Sequence, residues 1–317
     1  MRDEWAAAFA TRAAEHWTSE RLAQLAGSRR MPLMPDEAAV LLRALGLLNG
    51  DASMPSDRVR KWRQINHMVV VLGPTLRSIE PADGVVRILD AGCGRSYLTM
   101  ALAWTLAHRD GRRVELLGLD RDPTVIEASR RRAEAAGLEV QTRFAVADLD
   151  EVDMHDAWSD AWGGALRSLD LVVALHACDT ATDAALGLAV RADASAIAVA
   201  PCCQAELAAK WADTSDAGAT DAASASAFGA VHASAHLRRH AAATVTDTMR
   251  MLILRAHGYD ASAIEFVASE HTPKNTLIRA TRGLDAHAAD RARAELDALV
   301  TATGGASIAL ARTLAAI

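Results

Sequence analysis

Asp90-Ala91-Gly92-Cys93-Gly94 stands between an apolar run and a helical stretch, and two more acids, Asp120 and Asp148, close the next two apolar runs. Small residues at such a junction let the backbone turn sharply and approach a ligand closely. In Gly118-Leu119-Asp120 the carboxylate can accept both hydroxyls of a ribose, and Ala147-Asp148-Leu149 can address an adenine amino group. Together the three tips describe a nucleoside ligand. A dinucleotide fingerprint needs Gly or Ala at position 97 for tight helix-to-strand packing; Tyr97 stands there, so NAD is disfavoured. The competing reading is that these acids cap helices or turns.

A second set closes the fourth and fifth apolar runs, as His176-Ala177-Cys178-Asp179-Thr180 and Ala200-Pro201-Cys202-Cys203-Gln204. His176 and Asp179 are candidates for a general base or for orienting an acceptor, although a lone His at a strand end is as readily a satisfied structural residue. Lysine is scarce in this arginine-rich chain, and two of its three lysines, Lys61 and Lys274, fall in segments expected to border the same cleft, Lys274 close to Glu270. Either lysine is a candidate contact to an acceptor or a phosphate. Cys178, Cys202 and Cys203 admit three readings: small buried hydrophobes, a nucleophile with a depressed thiolate pKa, or metal ligands with His176 or His271. Adjacent cysteines lack the usual CxxC spacing, and no metal is assigned.

Elements must hold these groups in place. The composition, 51% hydrophobic, 23% charged and 4% aromatic over 317 residues, is that of a folded chain and not of a disordered one. No apolar stretch is long enough for a membrane helix and the first residues are too charged for a secretory signal, so a cytoplasmic protein without a membrane partner is expected. Residues 1–57 read as a helical N-terminal lobe. From 58, Val59, Trp62, Ile65, Met68 and Val69 share one helical face, and Arg58, Arg60, Lys61 and Arg63 make its start basic. Strands are expected at 85–92, 114–120, 140–149, 169–177, 194–201, 263–270 and 276–282, with helices at 96–109, 123–136, 180–191, 244–259 and 287–302. Alternation of this kind signals an α/β fold with a parallel sheet. Residues 212–236, rich in Ala, Ser, Asp and Gly, read as a mobile insertion within the 58–317 domain.

Through DAGCG, GLD and ADL the sequence resembles the class I S-adenosylmethionine (SAM)-dependent methyltransferases over about residues 60–283. The resemblance implies a Rossmann-like sheet of seven strands, the last antiparallel and inserted beside the fifth. It also implies that Asp90 sets the amino-acid end of SAM, Gly92 and Gly94 pass under it, Asp120 holds the ribose, and Asp148 with Leu149 meets the adenine. With HACDT, PCCQ and HTPKN added, the chain looks like the subgroup containing the rRNA adenine dimethylase domain-containing protein and the glutathione S-transferase C-terminal-domain-containing protein. Lys61, Asp179, Lys274 and Glu270 suggest the Lys-Asp-Lys-Glu set of ribose methyltransferases, but the middle Lys has no match at the fifth strand tip.

Methyl transfer from a sulfonium is an in-line displacement that asks the protein for alignment and, for some acceptors, a base. An RNA acceptor gripped by the basic helix at 58–63 is the first expectation. The net charge of −6 opposes it and favours the alternative, a small molecule or protein side chain as acceptor. A third possibility is a SAM- or metal-binding module without transfer activity. The oligomeric state is not indicated.

Overall fold

The computed structural model describes residues 2–175, 179–201, 204–216, 228–265 and 276–315. The chain divides into two compact units, Met1–Asp148 with His155–Leu166, and Leu149–Met154 with Arg167–Ile317.

The first unit opens with α1 (Arg2–His16), α2 (Ser19–Ala26), α3 (Ala39–Ala44) and α4 (Ser56–Ser78). It continues with β1 (Val85–Ala91), α5 (Tyr97–Trp104), β2 (Arg113–Asp120), α6 (Pro123–Ala136), β3 (Thr142–Val146) and most of α7 (Met154–Trp162). The predicted apolar face of α4 is buried at Trp62, Ile65, Met68 and Val69. Two side chains clamp this helix to the N-terminal segment: Trp62 Nε1 donates to the Leu33 carbonyl at 2.7 Å, and the Leu33 N–H donates to Asn66 Oδ1 at 2.7 Å. Helix α6 carries its own punctuation, with Asp122 accepting the Thr124 N–H at 2.8 Å, Pro123 in the first turn and Gly137 in the left-handed region at the end. Strands β1, β2 and β3 are parallel, with Asp90 opposite Gly118 and Gly118 opposite Phe144.

The second unit holds β4 (Leu171–Ala174), α8 (Thr180–Arg191), β5 (Ala196–Val199), α9 (Glu206–Asp216), α10 (Gly229–Ala233) and α11 (Ala235–Ala256). It ends with β6 (Tyr259–Glu265), β7 (Thr276–Arg282), α12 (Ala286–Ala302) and α13 (Ala309–Ala315). Strands β4 and β5 are parallel, and β7 is antiparallel to both β5 and β6. The seven strands follow the order β3-β2-β1-β4-β5-β7-β6, the mixed sheet with an inserted antiparallel last strand that the resemblance implies. Both β4 and β5 are buried at every position, as parallel strands covered on both faces must be.

Two elements differ from expectation. Both ends of the 212–236 segment are helical: α9 runs to Asp216 and α10 starts at Gly229, while 217–227 lie outside the described residues. The composition hides an anchor on each side, because Trp211 and His232 are buried and stack at 4.5 Å between ring centroids. Strand β6 begins at Tyr259 instead of 263, because Gly258, at φ 85°, ends the preceding helix early. Among the described residues no helix is long and apolar enough to cross a membrane.

Candidate active site

The junction after β1 is built around backbone that only particular residues tolerate. Gly92 and Gly94 lie at φ 72° and 52°, and nothing approaches within 4 Å of the place a Gly94 side chain would occupy. The next turn passes through Ser96, a non-glycine at φ 55°, whose buried hydroxyl donates to Ser129 Oγ on α6 at 2.8 Å. That bond offsets part of the cost of a left-handed residue. The Cys93 N–H donates to the Leu119 carbonyl at 2.8 Å, and the Gly94 N–H donates to Asp120 Oδ2 at 2.9 Å. Gly118 makes the approach feasible, since an added Cβ would lie 2.7 Å from the Phe144 ring and 3.1 Å from Cys93 Sγ. Burial drives the Cys93 thiol well above its ordinary range, so this cysteine is an inert wall residue.

The two predicted carboxylates of this junction differ in kind. Asp90 is buried, and Thr99 on α5 donates a hydrogen bond to its Oδ2. Burial, opposed by that hydrogen bond and aided by the charge of Asp120, pushes Asp90 up to about 6. Asp120 is partly exposed and accepts the Gly94 N–H on one oxygen and the Asp122 N–H, at 3.0 Å, on the other. A carboxylate has about four lone-pair sites, so each oxygen keeps capacity for a further donor such as a ribose hydroxyl. Asp148 is exposed just beyond β3, and Leu149 after it is buried. The open space above Gly94 and the spare acceptors of Asp120 fit a nucleoside-bearing cofactor.

Lys61 belongs to the same neighbourhood. Helix α4 sets its ammonium 4.8 Å from the centroid of Tyr97, the first residue of α5, and 3.5 Å from Gln64 Oε1. Burial and the nearby Arg95 charge lower its pKa, and no carboxylate pairs with it among the described residues. Of the basic residues around it, Arg58 pairs with exposed Asp57 at 3.2 Å and Arg63 donates to the Leu25 carbonyl at 3.2 Å.

In the second unit, Asp179 occupies an unusual backbone conformation at φ 52°, directly before α8. Its Oδ1 accepts the N–H groups of Ala205 and Glu206 at 3.0 and 3.4 Å, which ties the start of α9 to the segment after β4. Its carbonyl accepts from Arg250 at 3.0 Å. Arg250 is fully buried within α11. It donates to Asp183 at 2.6 Å and to Asp247 at 3.0 Å, and Gln204 donates to the second oxygen of Asp247 at 3.0 Å. Burial raises the pKa of both aspartates while Arg250 opposes the shift. The remaining described lysine, Lys210, is structural: with Arg312 it pairs with Glu206, which also accepts the Ala309 N–H at the start of α13.

A cleft of about 870 Å³ opens between α9 and α11 beside Pro201 and Gln204, which follow β5 in sequence. Alanines of both helices line it, together with Arg238, Arg239, His240 and Asp247 of α11. The sequence reading passed over these cations, although HLRRH lies in a stretch without an acid from 222 to 246. His176, Glu270 and Lys274 lie outside the described residues, as do Cys178, Cys202, Cys203 and His271. The first unit therefore brings together Asp90, Gly92, Gly94, Asp120 and Lys61, and the second holds Asp179. Among the described residues no cluster of metal-ligating side chains occurs.

Residues 60–210 match a family model described as a methyltransferase domain. The matched segment is just under half of the 317 residues. No curated protein matches the sequence. Among solved structures the chain is similar to the methyltransferase PaMTH1 of Podospora anserina, bound to S-adenosylhomocysteine (SAH), at 14% identity over 83% of this chain and 93% of that one, TM-score 0.43. It is similar to the 23S rRNA methyltransferase ErmE at 14% identity over 78% and 82%, TM-score 0.40. A SAM-dependent methyltransferase from Clostridium acetobutylicum aligns at 11% identity over 43% of this chain, TM-score 0.30, and the chain spans 48% of that structure.

Proposed function

We propose that this methyltransferase domain carries the methyl group of SAM to an RNA acceptor. The observation behind the donor half is the loop after β1, where a left-handed Gly94 leaves open space and Asp120 keeps unfilled acceptor sites. Behind the acceptor half stand exposed cations on elements of both units, among them Arg58 and Arg60 on α4 and Arg239 on α11.

When bound, SAM supplies a sulfonium-activated methyl group. Asp120 receives the ribose hydroxyls while its hydrogen bond to Gly94 keeps the loop in place. Asp148 and Leu149 serve the adenine end. Asp90 braces the loop through Thr99 on α5 instead of presenting its carboxylate to solvent. Lys61, half-buried beside Tyr97 and without a carboxylate partner among the described residues, balances the charge of the donor's amino-acid end. Asp179 acts as a positioning residue, since its carboxylate fastens the start of α9 to the residue directly before α8. His176 is the proposed base for an acceptor that must lose a proton, with Lys274 and Glu270 as its proposed companions.

A small-molecule acceptor is the second reading, favoured by the 870 Å³ of the cleft, a size common for pockets that enclose small ligands. Transfer of radiolabelled methyl from SAM into a cell extract, followed by fractionation, separates the two. Label in RNA that ribonuclease removes supports the proposal. Label confined to small molecules or protein overturns it.

A further inference from the structure

We infer that the cleft between α9 and α11 receives a nucleotide of the RNA acceptor, its base between the alanine walls and its neighbouring phosphates on Arg238, Arg239 and His240. This assignment rests on the RNA reading above and gives it a place in the fold.

Charge is the first argument. Helix α11 starts after Ser234 and carries His236, Arg238, Arg239 and His240 within its first two turns, with no acid in its first turn. The N-terminal end of a helix is already the positive end of its dipole, so cations there are unfavourable until an anion joins them. Among the described residues neither Arg238 nor Arg239 has a carboxylate within ion-pair distance. The Arg238 guanidinium is nevertheless held in place, donating to the His232 carbonyl at 2.5 Å, and His232 stacks on Trp211 of α9. That stack also sets the spacing between α9 and the start of α11.

Shape and polarity complete the case. Ala208, Ala209 and Ala212 of α9 and Ala243 of α11 all line the cleft, giving it short apolar groups suited to a planar ring. The lining also carries a charged acceptor, Asp247, whose oxygens are oriented by Arg250 and Gln204 and retain lone pairs for the N–H groups of a base edge. The cleft adjoins the segment after β5, and in open α/β sheets ligands gather beyond the carboxyl ends of the strands. An uncharged small molecule would leave the two guanidinium groups without a counterion.

Binding of a fluorescent single-stranded oligoribonucleotide, followed by anisotropy over a range of salt concentrations, tests the assignment. Arg239 is exposed, so Arg239→Ala and Arg239→Glu leave the fold intact, with SAH binding as the control. Arg239→Ala is expected to weaken RNA binding by about five- to tenfold and to lower the salt slope by about one, and the reversal Arg239→Glu to do more. Ala212→Phe, which narrows the cleft, is expected to lower turnover on RNA sharply while SAH still binds. RNA affinity and salt slope unchanged in Arg239→Glu, or normal RNA turnover in Ala212→Phe, would overturn the assignment. If wild-type protein puts label into RNA and these variants behave normally, only the cleft assignment falls; if wild-type label never enters RNA, the acceptor reading falls with it.

Discussion

Asp120 accepts the N–H groups of Gly94 and Asp122 while retaining acceptors for a ligand, so its removal acts twice, on the loop and on the ribose. Asp120→Ala is expected to weaken SAH binding by about 1 to 3 kcal/mol, the range for losing charge-assisted hydrogen bonds, as calorimetric titration would read it. Unchanged affinity in a folded variant would remove Asp120 from the site. Asp90 makes a different prediction because its cost is paid in stability. Its folded pKa of about 6 lies above the ordinary carboxylate value, so between about pH 4 and pH 6 the folded state holds the proton that the unfolded state releases. Unfolding free energy therefore falls as pH rises through that window, and above it the buried charge costs on the order of 3 kcal/mol. In Asp90→Asn the Thr99 hydrogen bond keeps an acceptor and the charge is gone. Urea unfolding should show the variant gaining on wild type from pH 4 to pH 7, and a constant difference across that range would refute the assignment.

Helix α11 joins several structural tasks through one side chain. Arg250 neutralises Asp183 on α8, orders Asp247 on its own helix and holds the carbonyl of Asp179 after β4. Truncating one member of a buried ion network leaves the others uncompensated, which costs about 3 to 5 kcal/mol. Arg250→Met is accordingly expected to lower the denaturant midpoint sharply, and adding Asp183→Asn should recover part of the loss. Equal stability of single and double variants would mean the two groups are not coupled. The sequence supports such elements unevenly. Helix α6 matched its expected range because Asp122, Pro123 and Gly137 mark both ends locally. The end of α11 was misplaced although Gly258 marks it, because the apolar pattern runs on through Tyr259 into β6. Nothing local revealed that Arg250 would be fully buried: its partners Asp183 and Asp179 lie 67 and 71 positions away.

At the scale of the whole chain, the strand texture and the loop after β1 were legible because each depends on neighbours in sequence. The cleft was not, since its walls come from residues as far apart as Pro201 and Thr276. Charge shows the same division. A total of −6 speaks against a polyanionic partner, yet the cations are gathered on α4 and at the start of α11, where no acid offsets them from 222 to 246. Affinity for RNA follows such local clusters and their displacement of condensed counterions, not the total. If about three phosphates are engaged, log K for a single strand should fall with log salt at a slope of about −2, so going from roughly 50 to 200 mM salt weakens binding about 15- to 20-fold. The same salt change should leave SAH affinity nearly constant, because the loop after β1 offers hydrogen bonds and short-range pairs that salt screens little. Measuring the Michaelis constant for RNA and the dissociation constant for SAH in parallel across that range checks both halves. A Michaelis constant that does not move with salt would assign the acceptor to an uncharged molecule and leave the cations of α4 and α11 as solvated surface.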